Sequence, residues 1–203
     1  MSDDESCLDK VALSTLSDEV HSCQLCAGQL PDAPRPIVQL GWQAPILIAG
    51  QAPGRVARAA GKAFDDASGE RLRAWLGVGR EQFYNPRAFS ILPMGFCFPG
   101  TGATGDLPPR RECAEHWRAR LLAHHEKLAL TLVIGRYAQQ WHLGEGCTVT
   151  GAVARWQTYW PALLPLPHPS PRNNRWLARN AWFEKEVVPA LQCRVRLLLE
   201  RHL

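Results

Sequence analysis

Short apolar runs alternate along the chain with stretches in which apolar and polar residues recur at helical spacing. The runs cover residues 44–50, 88–94, 128–135 and 162–166. Continuous apolar runs of this length are typical of strands buried on both faces, which occur in parallel sheets. Helices are predicted over residues 8–25, 68–76, 110–127, 137–143 and 174–199, the last interrupted by Pro189, and loops are predicted over residues 95–109 and 144–157. This alternation predicts an α/β protein, a three-layer α/β/α sandwich around a four-stranded parallel sheet.

Composition and charge describe an ordinary globular domain. Of the 203 residues, 46% are hydrophobic and 21% are charged, and no apolar run approaches the length of a membrane span. The acidic first residues do not resemble a signal peptide, so we expect a cytoplasmic protein that acts without a membrane. We also expect a monomer. No repeat or low-complexity linker divides the chain, so we expect a disordered tail at residues 1–6 and a single domain at 7–203. The net charge of +4, carried mostly by arginine, is compatible with a polyanionic partner.

Seven cysteines in such a chain favour metal ligation or buried thiols over a disulfide framework. Cys23 and Cys26 form a CxxC motif, and Cys97 and Cys113 follow with fifteen residues between them. These four, in Gly/Pro-rich or helix-initiating surroundings, predict a four-thiolate site. Zinc and an iron–sulfur cluster both accept four thiolates, so the ligand set alone leaves both open. Core packing or a surface thiol is expected for the remaining cysteines, which are Cys7, Cys147 and Cys193.

Two unusual loops follow apolar runs. The segment 50–54, GQAPG, follows the first run, and the segment 167–173, PHPSPRN, follows the fourth. Prolines hold the second loop extended, and glycines let the first approach a ligand closely. Because the carboxyl ends of parallel strands meet at one edge of a sheet, we expect both loops to face one ligand site. A histidine between prolines also occurs as a simple strand terminator, so His168 alone does not decide the function.

The two loops together carry a family resemblance. GQAPG and HPSPR resemble the paired active-site motifs of the uracil-DNA glycosylase superfamily, and the resemblance runs from about residue 22 to residue 192. The spacing Gly50…Gly61-x-x-Phe64…Gly69, with the four cysteines, resembles the iron–sulfur branch. HPSPR is closer to the single-strand-selective branch, whose loop wedges into the duplex. The resemblance implies a uracil-DNA glycosylase-like fold and a monofunctional DNA glycosylase, which removes uracil or a related damaged base after flipping it out of DNA.

The resemblance also implies roles for individual residues. His168 would donate a hydrogen bond to the base where negative charge develops. Base contacts would come from four residues, namely Gly50, Gln51, Ala52 and Phe64. DNA contacts would come from the second loop, namely Ser170, Pro171, Arg172 and Asn173. A [4Fe–4S] cluster of structural role, with zinc as the alternative occupant, would be held by Cys23, Cys26, Cys97 and Cys113. Two of these side chains have plainer interpretations, Phe64 as a core aromatic and Arg172 as a helix-surface residue.

The sequence departs from the family pattern where a carboxylate is expected. Gln51 stands where the iron–sulfur branch has a glutamate, and Ala52 stands near where other branches have Asp or Asn. Neither side chain ionises, so neither can stabilise a cationic sugar. Asp65 and Asp66 are candidates for this role, and Asp65 joins His168 and Gln51 in the predicted catalytic set. A solvated acidic pair near a helix cap is the alternative interpretation.

A second departure concerns recognition of the base. Pro93 takes the place of an asparagine that pairs with the uracil edge, and a proline side chain cannot read a base edge. The base therefore differs from uracil, or the backbone or another side chain such as Asn85 reads it. These departures keep two further functions open. One is a catalytically weak binder of damaged or single-stranded DNA or of nucleotides, and the other is a redox-responsive cluster protein.

Overall fold

The predicted alternation of strands and helices is present in the structure, a computed structural model that describes residues 3–103 and 105–203. The strands are β1 Ile46–Ala49, β2 Phe89–Ile91, β3 Thr101–Gly102, β4 Gly105–Asp106, β5 Leu130–Ile134 and β6 Leu163–Leu166. The helices are α1 Asp3–His21, α2 Arg55–Ala60, α3 Ala67–Leu76, α4 Arg80–Phe83, α5 Arg111–Leu122, α6 Gly135–Leu143, α7 Val149–Ala154, α8 Asn174–Arg179 and α9 Val188–His202. A π turn, Phe183–Val187, leads into α9.

The parallel sheet is confirmed, with the strand order β2-β1-β5-β6. Ile46 of β1 pairs with Phe89 of β2 on one side and with Leu130 of β5 on the other. Successive strands are therefore added on opposite sides of β1, which makes the crevice between β1 and β5 a topological switch point. The edge strand β6 accommodates Pro165 because an edge position does not require every N–H of the strand.

Different helices bury the two faces of the sheet, which gives the three predicted layers. Ile46 and Ile48 belong to a core cluster with residues of α3, the π turn and α9. Leu47, between them, belongs to a second cluster with Leu16 of α1 and Trp117 of α5. The three strand side chains are fully buried. Each contributes about 1.5–3 kcal/mol through burial, so the alternation along β1 holds both helical layers in place.

Three predictions of local structure were wrong. The last helix, predicted over 174–199 with an interruption at Pro189, is interrupted earlier. Helix α8 ends at Arg179, where the Asn180 side chain donates back to the Trp176 carbonyl (2.8 Å), and Pro189 lies in the first turn of α9. Residues 144–157, expected as a loop, include α7, which Thr148 caps by accepting a hydrogen bond from the Gly151 amide (3.1 Å). The expected loop over 95–109 contains the antiparallel β3-β4 hairpin.

The N-terminal helix also differs in its limits. Helix α1 begins at Asp3, so it covers residues 3–6 of the expected tail, whereas Met1 and Ser2 lie outside the described residues. It ends at His21, just before the CxxC motif. No described helix combines the length and apolar character that crossing a membrane requires.

Candidate functional site

A cleft of about 530 Å³ opens at the carboxyl ends of the parallel strands. Each of the four strands is followed by a lining residue: Gly50 after β1, Pro93 after β2, Tyr137 after β5 and His168 after β6. The cleft has the size of an ordinary small-molecule site. The structure thus brings the GQAPG and HPSPR loops to one cavity, as the order of strands and loops predicted.

The GQAPG loop forms one wall of the cleft, and all of residues 50–54 line it. Its backbone is fixed to the segment after β2, because the Met94 amide donates to the Gly50 carbonyl (2.9 Å) and the Gly95 amide donates to the Gln51 carbonyl (3.0 Å). These two bonds continue the pairing of β1 with β2 beyond the strands. The loop therefore presents a backbone of fixed shape to a ligand.

His168 forms the opposite wall and is held in one tautomer. The Ser170 amide donates to Nδ1 of His168 (3.2 Å), so Nδ1 must keep its lone pair. In the neutral ring the hydrogen then lies on Nε2, which is the nitrogen left to bind a ligand. The Asn173 side chain donates to the His168 carbonyl (2.7 Å), and this contact closes the loop on itself. Asn173, predicted to contact DNA, thus also fixes the catalytic candidate.

Burial and the charges of two nearby carboxylates shift the pKa of His168 in opposite directions. Burial lowers the pKa of His168 below its ordinary value, while the carboxylates of Asp66 and Asp106 act to raise it. Burial is the larger effect, so the ring is neutral near pH 7 and Nε2 acts as a hydrogen-bond donor. The cleft therefore combines a neutral donor with two nearby negative charges.

Phe64 lines the cleft in a strained backbone conformation. Its φ is +56°, in the left-handed region that side-chain-bearing residues rarely adopt. A Cβ at Gly69 would overlap the Phe64 carbonyl, so only glycine allows α3 to pass this close. The ring is half-buried and packs edge-to-face on Phe83 (centroids 6.2 Å apart). Phe64 therefore packs on the core and also forms part of the cleft wall; stacking on a planar ligand stays a prediction.

The structure brings Asp66, and not Asp65, to the cleft. The Asp65 carboxylate faces Arg80 and accepts two hydrogen bonds from it (2.6 and 3.0 Å). This bidentate contact lowers the pKa of Asp65 and holds the carboxylate away from the cleft. Asp65 is therefore removed from the catalytic set. Asp66 caps α3, since its side chain accepts a hydrogen bond from the Gly69 amide (2.9 Å), and it still lines the cleft.

Asp106 and Tyr137 also line the cleft, and the sequence did not point to either of them. Asp106 lies in strand β4 of the unpredicted hairpin, and its Oδ2 is 3.2 Å from the place where a Cβ of Gly54 would stand. No pattern of a two-residue strand identifies such a position. Tyr137 follows β5 within three residues, so the rule that found His168 at the end of β6 could have found it as well.

The remaining DNA-binding candidates lie at the rim. Ser170 lines the cleft, and its hydroxyl accepts a hydrogen bond from the Arg172 amide (3.2 Å). Arg172 is exposed, and its guanidinium rests against Gly105 of the hairpin. Pro171 is exposed at the first position of the 3₁₀ turn. The rim is thus formed by the second loop and the β3-β4 hairpin together.

Recognition of the base edge cannot come from Asn85. This residue precedes β2 and so lies at the opposite edge of the sheet from the cleft, where its side chain accepts a hydrogen bond from the Arg87 amide (2.9 Å). Pro93 and Ile91 line the cleft at the carboxyl end of β2. The wall at this strand is apolar, as the sequence indicated for Pro93. Polar contacts at the cleft are therefore supplied by the other strand ends and by the hairpin.

The four predicted thiolate ligands line a second, smaller pocket. They are Cys23, Cys26, Cys97 and Cys113. The first pair follows α1, Cys97 lies in the loop after β2, and Cys113 lies in the first turn of α5. The Trp117 indole donates to the sulfur of Cys23 (3.3 Å), and the Phe96 amide donates to the sulfur of Cys113 (3.4 Å). Cys147 and Cys193 do not line this pocket, and Cys193 is exposed on α9.

The thiols of this pocket fit a thiolate-bound group in donor type and surroundings. N–H groups that point at sulfur are the usual outer partners of metal-bound cysteines. Within residues 3–103 and 105–203, no three His, Cys, Asp or Glu side chains are placed as ligands of one metal ion. Burial raises the pKa of the Cys113 thiol to about 12, so without a bound cation this group is a neutral thiol. Because Cys193 is exposed and lies outside this pocket, Cys193→Ser is a suitable control for substitutions of the pocket cysteines.

The fold is that of an α/β protein whose cleft is formed at the ends of four parallel strands, with His168 opposite the GQAPG loop. The model of the uracil DNA glycosylase superfamily matches residues 39–192. The chain belongs to this superfamily. The matched region contains the whole parallel sheet and both loops of the cleft.

Proposed function

We propose that the protein is a DNA glycosylase that hydrolyses the N-glycosidic bond of uracil or a related damaged base. One observation carries this proposal: a neutral histidine and a rigid Gly/Pro loop face each other across a cleft lined by an aromatic ring. Membership of the superfamily supports the same chemistry. A flipped nucleotide needs a slot of this kind, because its base must be held flat and away from the stack.

In the proposed reaction the bond between the sugar C1′ and the base nitrogen breaks, and its electron pair leaves with the base. His168 donates its Nε2 hydrogen bond to the base carbonyl, where the negative charge grows. Phe64 stacks on the face of the base, and the backbone of residues 50–54 contacts its edge. These contacts strengthen as charge develops, so they stabilise the transition state more than the bound substrate.

The departing base leaves a cationic sugar, and two carboxylates are placed to stabilise it. Asp66 and Asp106 both line the cleft, and both act to raise the pKa of His168. We propose that they replace the carboxylate that Gln51 cannot supply. One of them accepts the proton of the water that attacks C1′, and Gln51 orients that water through its amide.

We also propose that the four cysteines hold a [4Fe–4S] cluster. The support is their shared pocket, together with the hydrogen bonds that Trp117 and Phe96 donate to sulfur. When bound, such a cluster would join the end of α1, the loop after β2 and the start of α5. Its role here is structural. Broad visible absorption that bleaches on reduction, with about four irons per chain, distinguishes this group from zinc.

The activity is tested on a panel of oligonucleotides, single-stranded and duplex, that carry uracil, hypoxanthine, xanthine or hydroxymethyluracil. We expect an abasic product, seen as alkali-sensitive cleavage, from at least one of them. A shifted band without product from any substrate would contradict the proposal. That outcome would favour the second candidate, a binder of damaged or single-stranded DNA, which the replacement of the carboxylate and asparagine by Gln51 and Pro93 also favours.

A further inference from the structure

Arg71, on helix α3, reaches the HPSPR loop from outside the cleft. Its Nη1 donates to the carbonyl oxygens of Pro169 (3.3 Å) and Ser170 (3.2 Å), and its Nη2 donates to Oδ1 of Asn174 (2.8 Å). The three acceptors lie 98 to 103 positions later in the chain. A planar guanidinium carries several donors in a fixed fork, so one side chain can bind all three at once.

The loop needs an external donor because of its own sequence. Prolines alternate with other residues from 165 to 171, and proline has no N–H to donate. The carbonyls of this segment therefore cannot be satisfied by a regular ladder within the loop. Arg71 supplies bonds to two successive carbonyls directly after His168. Together with the Asn173 contact to the His168 carbonyl, these bonds fix three successive carbonyls, those of His168 and of the two residues that follow it.

Helix α3 also holds the opposite wall of the cleft. Gly69 lies against the Phe64 carbonyl, and Arg73 donates to the same carbonyl oxygen (3.3 Å). The first two turns of one helix thus contact the Phe64 segment on one side and the His168 loop on the other. Because a helix is stiff over this length, the distance between the two walls is set by α3.

We propose that Arg71 is a positioning residue, which fixes His168 relative to Phe64 by tying the HPSPR loop to α3. It does not line the cleft, so it acts through the loop and not on the ligand. The kinetic part of this inference rests on the proposed glycosylase activity. The structural part, the order of the loop, does not.

The test compares Arg71→Met and Arg71→Lys with Arg87→Met. Met removes every donor at similar length, and Lys keeps the charge without the planar fork. Arg87 is an exposed arginine before β2, at the edge of the sheet away from the cleft, and serves as the matched control. Hydrogen exchange of the backbone amides of residues 168, 170 and 172–174 reports loop order, and ¹⁵N shifts of the His168 imidazole report its tautomer. Single-turnover base release and DNA affinity are measured separately.

We expect Arg71→Met to speed hydrogen exchange in this segment by about 10-fold or more. The loop opens more easily because the three hydrogen bonds from Arg71 no longer hold it closed. The fixed Nε2–H tautomer should become mixed. Base release should slow by about 100-fold while DNA affinity changes by less than about 3-fold, because misplacement of a catalytic group slows chemistry and not binding. Arg71→Lys should fall between the wild type and Arg71→Met, and Arg87→Met should match the wild type.

Unchanged exchange and an unchanged tautomer in Arg71→Met would overturn the inference, whatever the activity. A loss confined to DNA affinity would also overturn it, because Arg71 would then be a phosphate contact. A wild-type protein without activity on any substrate would contradict the proposed glycosylase function, and the exchange and tautomer measurements would still decide the role of Arg71.

Discussion

At the scale of single residues, the chemistry of the cleft depends on which groups carry charge. His168 is neutral because burial outweighs the two carboxylates that face it, and its tautomer is set by the Ser170 amide. His168 lines the cleft, as expected for a histidine between prolines that follows a buried strand. Of the two candidate carboxylates, the predicted catalytic set took Asp65, which pairs with Arg80, whereas Asp66 lines the cleft. The sequence alone does not say which of two adjacent aspartates pairs with an arginine.

The carboxylates of Asp66 and Asp106 are predicted to speed base release. Asp66→Asn with Asp106→Asn removes both negative charges from the cleft, and base release should slow by about 100-fold or more because the cationic sugar loses its stabilising charge. Asparagine also caps helices well, so the stability of α3 should be kept. The rate is measured in single turnovers, with Asp65→Asn as the control outside the cleft. A double variant as fast as the wild type would refute the assignment.

At the scale of elements, α5 connects the cysteine pocket to the sheet and to α6. Arg118 of this helix is 1% exposed. Its Nη1 donates to the Leu92 carbonyl (3.0 Å), and its Nη2 lies 2.8 Å from Nε2 of His142. Burial lowers the pKa of Arg118 to about 10, so it stays charged at neutral pH. An amphipathic pattern predicted this helix, whereas the buried cation could not be predicted, because its partners lie directly after β2 and on α6.

The pair with Arg118 predicts a loss of stability in acid. Burial, and then the charge of Arg118, lowers the pKa of His142 from 6.5 to about 4. The unfolded chain takes up a proton near pH 6.5 and the folded chain only near pH 4, so the free energy of unfolding falls as the pH drops through this window, by at most about 3 kcal/mol. His142→Gln keeps an acceptor for Arg118 and should flatten the dependence seen in urea unfolding between pH 7 and 4. The exposed His21→Gln should keep the full dependence, and a His142→Gln profile as steep as the wild type would contradict the prediction.

The cysteine pocket predicts a linked loss of iron and stability. Cys97→Ser should lower the iron content and the melting temperature together, because the loop after β2 loses its tie to α1 and α5. Each kcal/mol lost lowers the melting temperature of a chain of this size by about 2–4 °C. Iron analysis and thermal unfolding are run beside the exposed Cys193→Ser, which should change neither. An unchanged iron content and an unchanged melting temperature in Cys97→Ser would contradict the proposed cluster.

At the scale of the whole molecule, the parallel sheet and the place of the cleft were predictable from sequence. Buried strands appear as continuous apolar runs, and their carboxyl ends must share one edge, so two loops distant in the chain could be brought together by rule. Three features could not be predicted, namely the β3-β4 hairpin, the place of Asp106 in the cleft and the contact of Arg71 with the HPSPR loop. They depend on tertiary packing between segments whose local patterns carry no signal for it.

The most direct test of the central claim, that His168 and the GQAPG loop act on one base between them, is the single-turnover rate of base release by His168→Ala. The substrate is the oligonucleotide that the wild type processes fastest. We predict a rate lower by about 100- to 1,000-fold, the usual effect of removing one donor to a developing anion, with DNA affinity changed by less than about 3-fold. A His168→Ala protein that releases the base at the wild-type rate would contradict the claim.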